Sequence, residues 1–294
     1  MYQFFAPFVA DYGDDWWFRF AWAWAHTESG RIAEGRRLME QAFAMNTKNG
    51  NAVHGLAHAF YEQGDPAGGV TFLSEWLPAY DRAASLHCHL TWHTALFELV
   101  RGDVARARAA FEDGVRARVA TKAPATNVVT DGVSFLWRLM LDGAPVAAAE
   151  WKEVAAYAQE RFQATTAHFH ELNCLMAWAI TGEWDLYERR LAELRDRAKK
   201  GTLPPGHAVP ALGEGFAAFV RGDYAAAARA IEPYADDIVR CGGSHAQQDV
   251  WDETLVAAWI RCGEADKARR ALEKRLARRP SPRAEEWLAK AKNH

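Results

Sequence analysis

Two pairs of histidines carry the clearest chemistry in this chain. His54 and His58 stand four residues apart, and His89 and His93 repeat the spacing with His87 just ahead of them. In a helix, a spacing of four brings both side chains to one face, and such a pair is a common way to hold zinc, iron or manganese. If the two helices lie side by side, four imidazoles converge. His54, His58, His89 and His93 then become candidate metal ligands, with Glu62, Glu98 and His26 as further ligands or orienting groups. Two other readings stay open. Buried histidines form interhelical hydrogen-bond networks without any metal, and a histidine near its ordinary pKa is the usual acid/base group. No His-Glu-x-x-His sequence is present and an all-histidine ligand set is unusual, so the expected cofactor is none, with a transition metal as the alternative.

A second group of chemical residues lies further on: Asp131 with Arg138, then His168, His170, Glu171 and Asn173, then the run from Ser244 to Asp249. Ser244 directly precedes a helical pattern and reads as its N-cap, with His245 and Gln248 turned inward. A chain that curls tightly would bring this run opposite the first cluster. His54, His58, His93, His245 and Asp249 are accordingly the candidates for proton transfer.

What must position these residues is a repeat. Seven glycines, Gly30, Gly64, Gly102, Gly143, Gly182, Gly222 and Gly263, recur every 34 to 41 residues, and five are followed at once by Asp or Glu. A glycine that ends one helix and an acid that caps the next describe helical hairpins, and a regular series of them describes an α-solenoid. Between the pivots, apolar residues fall at i, i+3, i+4 and i+7, and no strand-like alternation is sustained. First helices are predicted over 14–29, 51–63, 86–101, 128–142, 165–181, 208–221 and 246–261. Their partners are predicted over 31–46, 65–79, 103–120, 145–161, 183–199, 223–239 and 264–277, with a closing helix near 283–292. The fold class is all-α, an α-α superhelix of about seven hairpins. Residues 1–13 read as an N-terminal arm and 14–294 as one domain. The segments 121–129 and 200–209, both with proline, are candidate lids or bends.

In a tetratricopeptide-like array, residues about six and ten positions before each pivot face the concave side. That register selects Trp24, His58, Leu96, Trp137, Met176 and Phe216, an aromatic wall of the kind that lines small-ligand pockets. With their neighbours on the same helices, the candidate ligand-binding residues are Trp24, His58, Trp92, His93, Trp137, Arg138, Met176 and Phe216.

Composition narrows the partners. A net charge of −3 spread over 294 residues provides no basic field for nucleic acid or anionic membrane. The dense C-terminal run from Lys267 to Arg279 reads as the solvated face of a capping helix. Four scattered cysteines form no Cys-x-x-Cys spacing and fit a reducing compartment. The apolar stretch at residues 1–10 lacks the basic residues of a signal peptide, so a cytoplasmic location is expected. Phosphate-cradling, dinucleotide and nucleophile-elbow motifs are absent.

The strings His54-Gly-Leu-Ala-His58, His89-Leu-Thr-Trp92-His93-Thr-Ala-Leu-Phe-Glu, Ser134-Phe-Leu-Trp137-Arg138-Leu and Gly243-Ser244-His245-Ala-Gln-Gln248-Asp249-Val resemble the tetratricopeptide repeat protein 38 family over roughly residues 14–280. The resemblance implies an all-helical tetratricopeptide-like fold with no settled activity. Two departures stand out. Family members typically carry a helical portion ahead of the point where this chain starts, and an arginine usual in the last string is Gln248 here. The first departure leaves an open end near residues 16–24 that a second copy or another protein could cover. The second weakens an anion-binding role.

Two functions follow. The first is a binding protein that holds a protein partner or a small ligand on an aromatic and histidine-lined concave surface. The alternative is an enzyme that uses the inner histidines for acid/base or metal-assisted chemistry on a small, largely apolar substrate.

Overall fold

A computed structural model describes residues 2–165 and 167–292. Residues 2–12 form two single-turn helices, Tyr2–Phe5 and Val9–Tyr12, joined by a 3-10 turn. The arm lies on the first long helix through Tyr2 against Trp22 (ring centroids 4.8 Å) and Phe5 against Phe18 (6.0 Å).

Seven hairpins follow among the described residues. They are α1 (Trp16–Thr27) with α2 (Ile32–Met45), α3 (Gly50–Gln63) with α4 (Pro66–Trp76), α5 (His87–Val100) with α6 (Val104–Gly114), and α7 (Ala125–Leu141) with α8 (Ala148–Arg161). The series continues with α9 (His168–Thr181) and α10 (Trp184–Lys199), α11 (Ala208–Val220) and α12 (Tyr224–Ile231), and α13 (His245–Arg261) and α14 (Ala265–Arg278). A closing helix, α15, spans Pro282–Lys292. The all-helical superhelix expected from the glycine repeat is the fold, and no strand occurs among the described residues.

All seven pivots have positive φ. Gly64 shows why glycine is needed: at φ +68° it closes α3 in the left-handed region, its N–H bonds Tyr61 O, and the N–H of Asp65 returns to Phe60 O. The chain also passes close to it, since a Cβ there would come within 2.6 Å of Pro280 Cδ. Asp65, Asp103 and Asp223 then cap the next helices by accepting from the N–H of Gly68, Arg106 and Ala226. Glu183 and Glu264, read with them as caps, make no side-chain capping bond. Their extra methylene carries the carboxylate past the N3 amide that aspartate reaches.

Two second helices are shorter than predicted. α6 stops at Gly114, where the N–H of Arg116 turns back to Phe111 O, and beyond the stop the N–H of Arg118 bonds Glu153 Oε1 of α8 (3.0 Å) in place of a helical carbonyl. α12 stops at Ile231 and runs on as a 3-10 segment over Glu232–Cys241, where Pro233 supplies no N–H.

The first helices α3, α5, α7, α9, α11 and α13 stack in sequence, and the winding is tight enough for α13 to pack on α7 and for α15 to reach α5. Tyr61 Oη of α3 donates to Asp249 Oδ2 of α13 at 2.6 Å, and Trp137 Nε1 of α7 donates to Thr254 Oγ1 of α13 at 2.9 Å. This closure corrects the expected concave surface. Trp92, Trp137, Arg138, Met176 and Phe216 are inner-wall residues, but all are fully buried. Trp137 packs on Phe216 at 5.8 Å, and Arg138 is taken by Glu253 (3.3 Å), Ser134 Oγ (3.0 Å) and Ala246 O (2.7 Å). At this curvature opposite walls interdigitate, and dispersion contacts fill the space a ligand would have used.

The basic C-terminal run is corrected in part: Arg270, Lys274 and Arg278 are exposed as expected, but two of its arginines are not solvated surface. Arg275 and Arg279 point inward from α14 and the residue after it, Arg275 pairing with Asp249 (3.3 Å) and Glu253 (3.0 Å), Arg279 with Asp249 and Glu62. Arg283 of α15 pairs with Glu253 (2.7 Å) and Asp142 (2.8 Å). These guanidinium groups tie the last two helices to the beginning and middle of the superhelix.

Candidate functional site

The four histidines do converge. α3 presents His54 and His58 and α5 presents His89 and His93, and one ring nitrogen from each lies within 4.8 Å of the others. His54 Nε2 is the hub, 2.8 Å from His58 Nε2 and 3.0 Å from His89 Nε2. The ring of His93 packs at 4.7 Å from that of His58 and 4.9 Å from that of His89. His58, His89 and His93 are buried, and His54 is half-buried. Burial holds His54 and His93 well below the ordinary histidine pKa, and lowers His58 to about 3, with His89 and His245 adding to the effect. At neutral pH these three rings are uncharged, so each carries one N–H and one lone pair.

That protonation state does not satisfy the contacts. His89 Nδ1 sits 2.8 Å from Asp131 Oδ2, a carboxylate placed to hold a proton on Nδ1. One proton on His54 Nε2 makes one linear bond, to His89 or to His58. Neither ring nitrogen of the fully buried His93 has a hydrogen-bond partner among the described residues. The cluster therefore gathers four imidazoles, one of which, His93, uses neither ring nitrogen in a hydrogen bond among the described residues.

One side of the cluster is open. Trp24 of α1 stacks on His54 at 5.3 Å and meets His58 edge-on at 4.8 Å. Together with Phe5, Phe20, Ala21 and His54 it lines a cavity of about 210 Å³ whose walls are almost wholly apolar. The arm thus supplies one wall of the mouth, and His54 is the polar group at its end.

On the far side of His58, one turn along α3, Glu62 accepts from His245 Nδ1 at 3.3 Å. The Glu62 hydrogen bond raises the His245 pKa against the effect of burial, while burial raises Glu28 nearby. His245 is thus brought beside the cluster through Glu62 and is not one of its members. Asp249 is held apart, in the ion pairs with Arg275 and Arg279. Those guanidinium groups and the Tyr61 hydroxyl outweigh its burial and keep its carboxyl far below the usual range, so it is a permanent anion with no proton to give near neutrality.

The other candidates disperse. Glu98 pairs with Arg101 (3.0 Å), and His26 packs against Trp22 (4.4 Å). His87 lies beside Thr91, and Glu171 forms a buried pair with Arg190 (2.9 Å). Gln248 turns inward to the carbonyls of Gly242 and Gly243. Two residues of the site were legible but not assigned to it. Asp131 lies twelve residues before Gly143, almost level with His89 at thirteen before Gly102, and Phe20 lies ten before Gly30. The register that selects Trp24 therefore also selects Phe20. Phe5 has no such signal, since only the folding back of the arm brings it there.

Residues 26–87 and, separately, residues 208–233 match the tetratricopeptide repeat. The first stretch runs from the end of α1 to the start of α5, and the second covers α11 and α12. The chain is a tetratricopeptide-repeat-containing protein. No solved structure matches it. Repeats of this kind are protein-interaction modules in general, and no helix among the described residues is long and apolar enough to cross a membrane.

Proposed function

We propose that this chain is a binding protein that takes a small, largely apolar group into the mouth formed by Phe5, Phe20, Ala21 and Trp24, with His54 as the polar contact at its end. The observation that carries the reading is the position of the cavity: the filled inner wall leaves Trp24 and His54 as the wall residues that border open space. A volume of about 210 Å³ suits one aromatic ring or a short alkyl chain. Indole is a suitable probe. Titrated by NMR, it should shift the Trp24 indole N–H and the His54 ring protons, and Ala21→Leu, which fills the cavity, should weaken binding at least tenfold. Shifts confined to other residues, or undiminished binding to Ala21→Leu, would refute the reading.

A protein partner is supported at the same end of the molecule. Phe4, Phe8, Tyr12 and Trp17 are exposed there, an unusual concentration of aromatic surface. The low net charge makes self-association of two such faces electrostatically cheap, so a second copy is the occupant we infer. The finer family assignment, to the tetratricopeptide repeat protein 38 family, is supported by the four quoted strings, and an alignment that fails to keep them in register would remove it. Four free cysteines, three of them buried, support a reducing, cytoplasmic setting, which fractionation of the source cells would test.

A further inference from the structure

We propose that His54, His58, His89 and His93 bind one divalent first-row transition-metal ion of the zinc, nickel or copper class. Four observations lead there independently of what enters the mouth.

The first is geometry. Tetrahedral zinc–imidazole bonds of roughly 2.0–2.1 Å place ligand nitrogens about 3.3 Å apart. The hub contacts of 2.8 and 3.0 Å are a few tenths of an ångström short of that spacing, and the remaining separations, up to 4.8 Å, are within reach of ring rotation. The second is His93. It is fully buried and turned into the cluster, and both its nitrogens lack a hydrogen-bond partner among the described residues. A buried polar group left unpaired costs roughly 1–3 kcal/mol, and a hydrogen-bonded imidazole network would have used this one. A metal ion uses it, because coordination needs lone pairs and no protons.

The third is the Asp131 carboxylate on His89 Nδ1. It fixes the tautomer that presents Nε2, raises that nitrogen's basicity, and supplies one buried negative charge against the ion. The fourth is the donor set. Four imidazoles with no carboxylate or carbonyl among them suit zinc, nickel or copper, whereas magnesium and calcium require oxygen ligands. The scaffold is rigid where it matters, since both pairs sit on adjacent packed helices, α3 and α5. The ion would face the solvent only past His54 and the aromatic mouth.

The test uses the full chain without a histidine tag, stripped with chelator and dialysed against Zn²⁺ or Co²⁺. We expect one equivalent bound per chain, an intense visible absorption from the Co²⁺ form as a four-coordinate centre gives, and a rise in the thermal midpoint with Zn²⁺ but not Mg²⁺ or Ca²⁺. Asp131→Asn should weaken Zn²⁺ binding about 10–100-fold, and His58→Gln with His93→Gln should abolish it. Zn²⁺ uptake is measured without any apolar ligand and indole binding on the metal-free protein, so this inference and the apolar-ligand reading can fail separately. Should the histidine variants fold poorly, the metal-dependent shift of the unaltered protein still decides. Binding below about a tenth of an equivalent, or uptake that survives His58→Gln and His93→Gln and so belongs to an exposed histidine such as His207, would overturn the proposal.

Discussion

Replacing Asp249 by asparagine removes one negative charge from between two guanidinium groups and should loosen the closure of the superhelix. At 3.3 Å and an effective dielectric of about 20, the Arg275 contact alone is a Coulomb term of about 5 kcal/mol, largely offset by the desolvation of both groups. What is measured is the cost of leaving buried positive charge uncompensated, typically about 3–5 kcal/mol. Arg275 keeps Glu253 at 3.0 Å and Arg279 keeps Glu62, so the lower end, about 3 kcal/mol, is expected. Tyr61→Phe deletes one hydrogen bond to the same carboxylate and leaves both ion pairs. It should cost about 1.5 kcal/mol, the low end for a charged acceptor. Equilibrium urea unfolding, followed by tryptophan fluorescence and by far-UV circular dichroism, gives both values. The folded pKa of Asp249 is depressed, so its contribution is complete above the unfolded value of about 3.9 and is lost only as pH falls towards the folded value. The Asp249→Asn penalty should therefore be the same at pH 7 and pH 8, above the range in which the neighbouring Asp252, raised by burial to about 6, titrates. A penalty below about 1 kcal/mol, or one smaller than that of Tyr61→Phe, would refute this account of the closure.

The His245 pKa, raised by the Glu62 hydrogen bond with Glu28 adding and Arg278 opposing, should fall towards the ordinary value in Glu62→Gln, read from its ring-proton shifts. Because the folded value lies above the unfolded one, this stabilisation is full below about pH 6.5 and fades as pH rises through the folded value. The stability gap between the parent and Glu62→Gln should narrow accordingly; a gap that widens with pH contradicts the pairing. At the aromatic end, sedimentation velocity at high concentration should show a dimer that Trp17→Asp converts to monomer, and a parent protein that stays monomeric contradicts the self-association reading.

Helices, pivots and register were legible from local chemistry. A left-handed turn selects glycine whatever surrounds it, an aspartate caps the amide three residues on, and apolar periodicity marks the buried face. The pairing of His54 with His58 and of His89 with His93 follows from helical spacing alone, and their convergence follows from stacking adjacent hairpins. Glutamate at two of the expected caps, and the early ends of α6 and α12, show the limit of that logic. A proline stands just past the end of α12 and a distant glutamate takes an N–H freed beyond the end of α6, and neither enters a count of periodic apolar residues.

Curvature lay beyond it. How tightly paired helices wind depends on the sum of small rotations at every interface, and no single residue encodes that sum. The winding decides that Trp137 meets Phe216 and Met176 is buried in the core instead of facing a ligand, and that Arg275 and Arg279 are inward counter-ions instead of solvated surface. It also assigns Asp131 to His89, while the arm brings Phe5 to the cavity that Trp24 lines. The sequence by itself determined where the helices lie and which residues of the first helices share one face, in order along the chain. Only the tertiary structure decided what they face, because contacts between residues nearly two hundred positions apart, as between Tyr61 and Asp249, arise from closure of the whole superhelix and from no local preference.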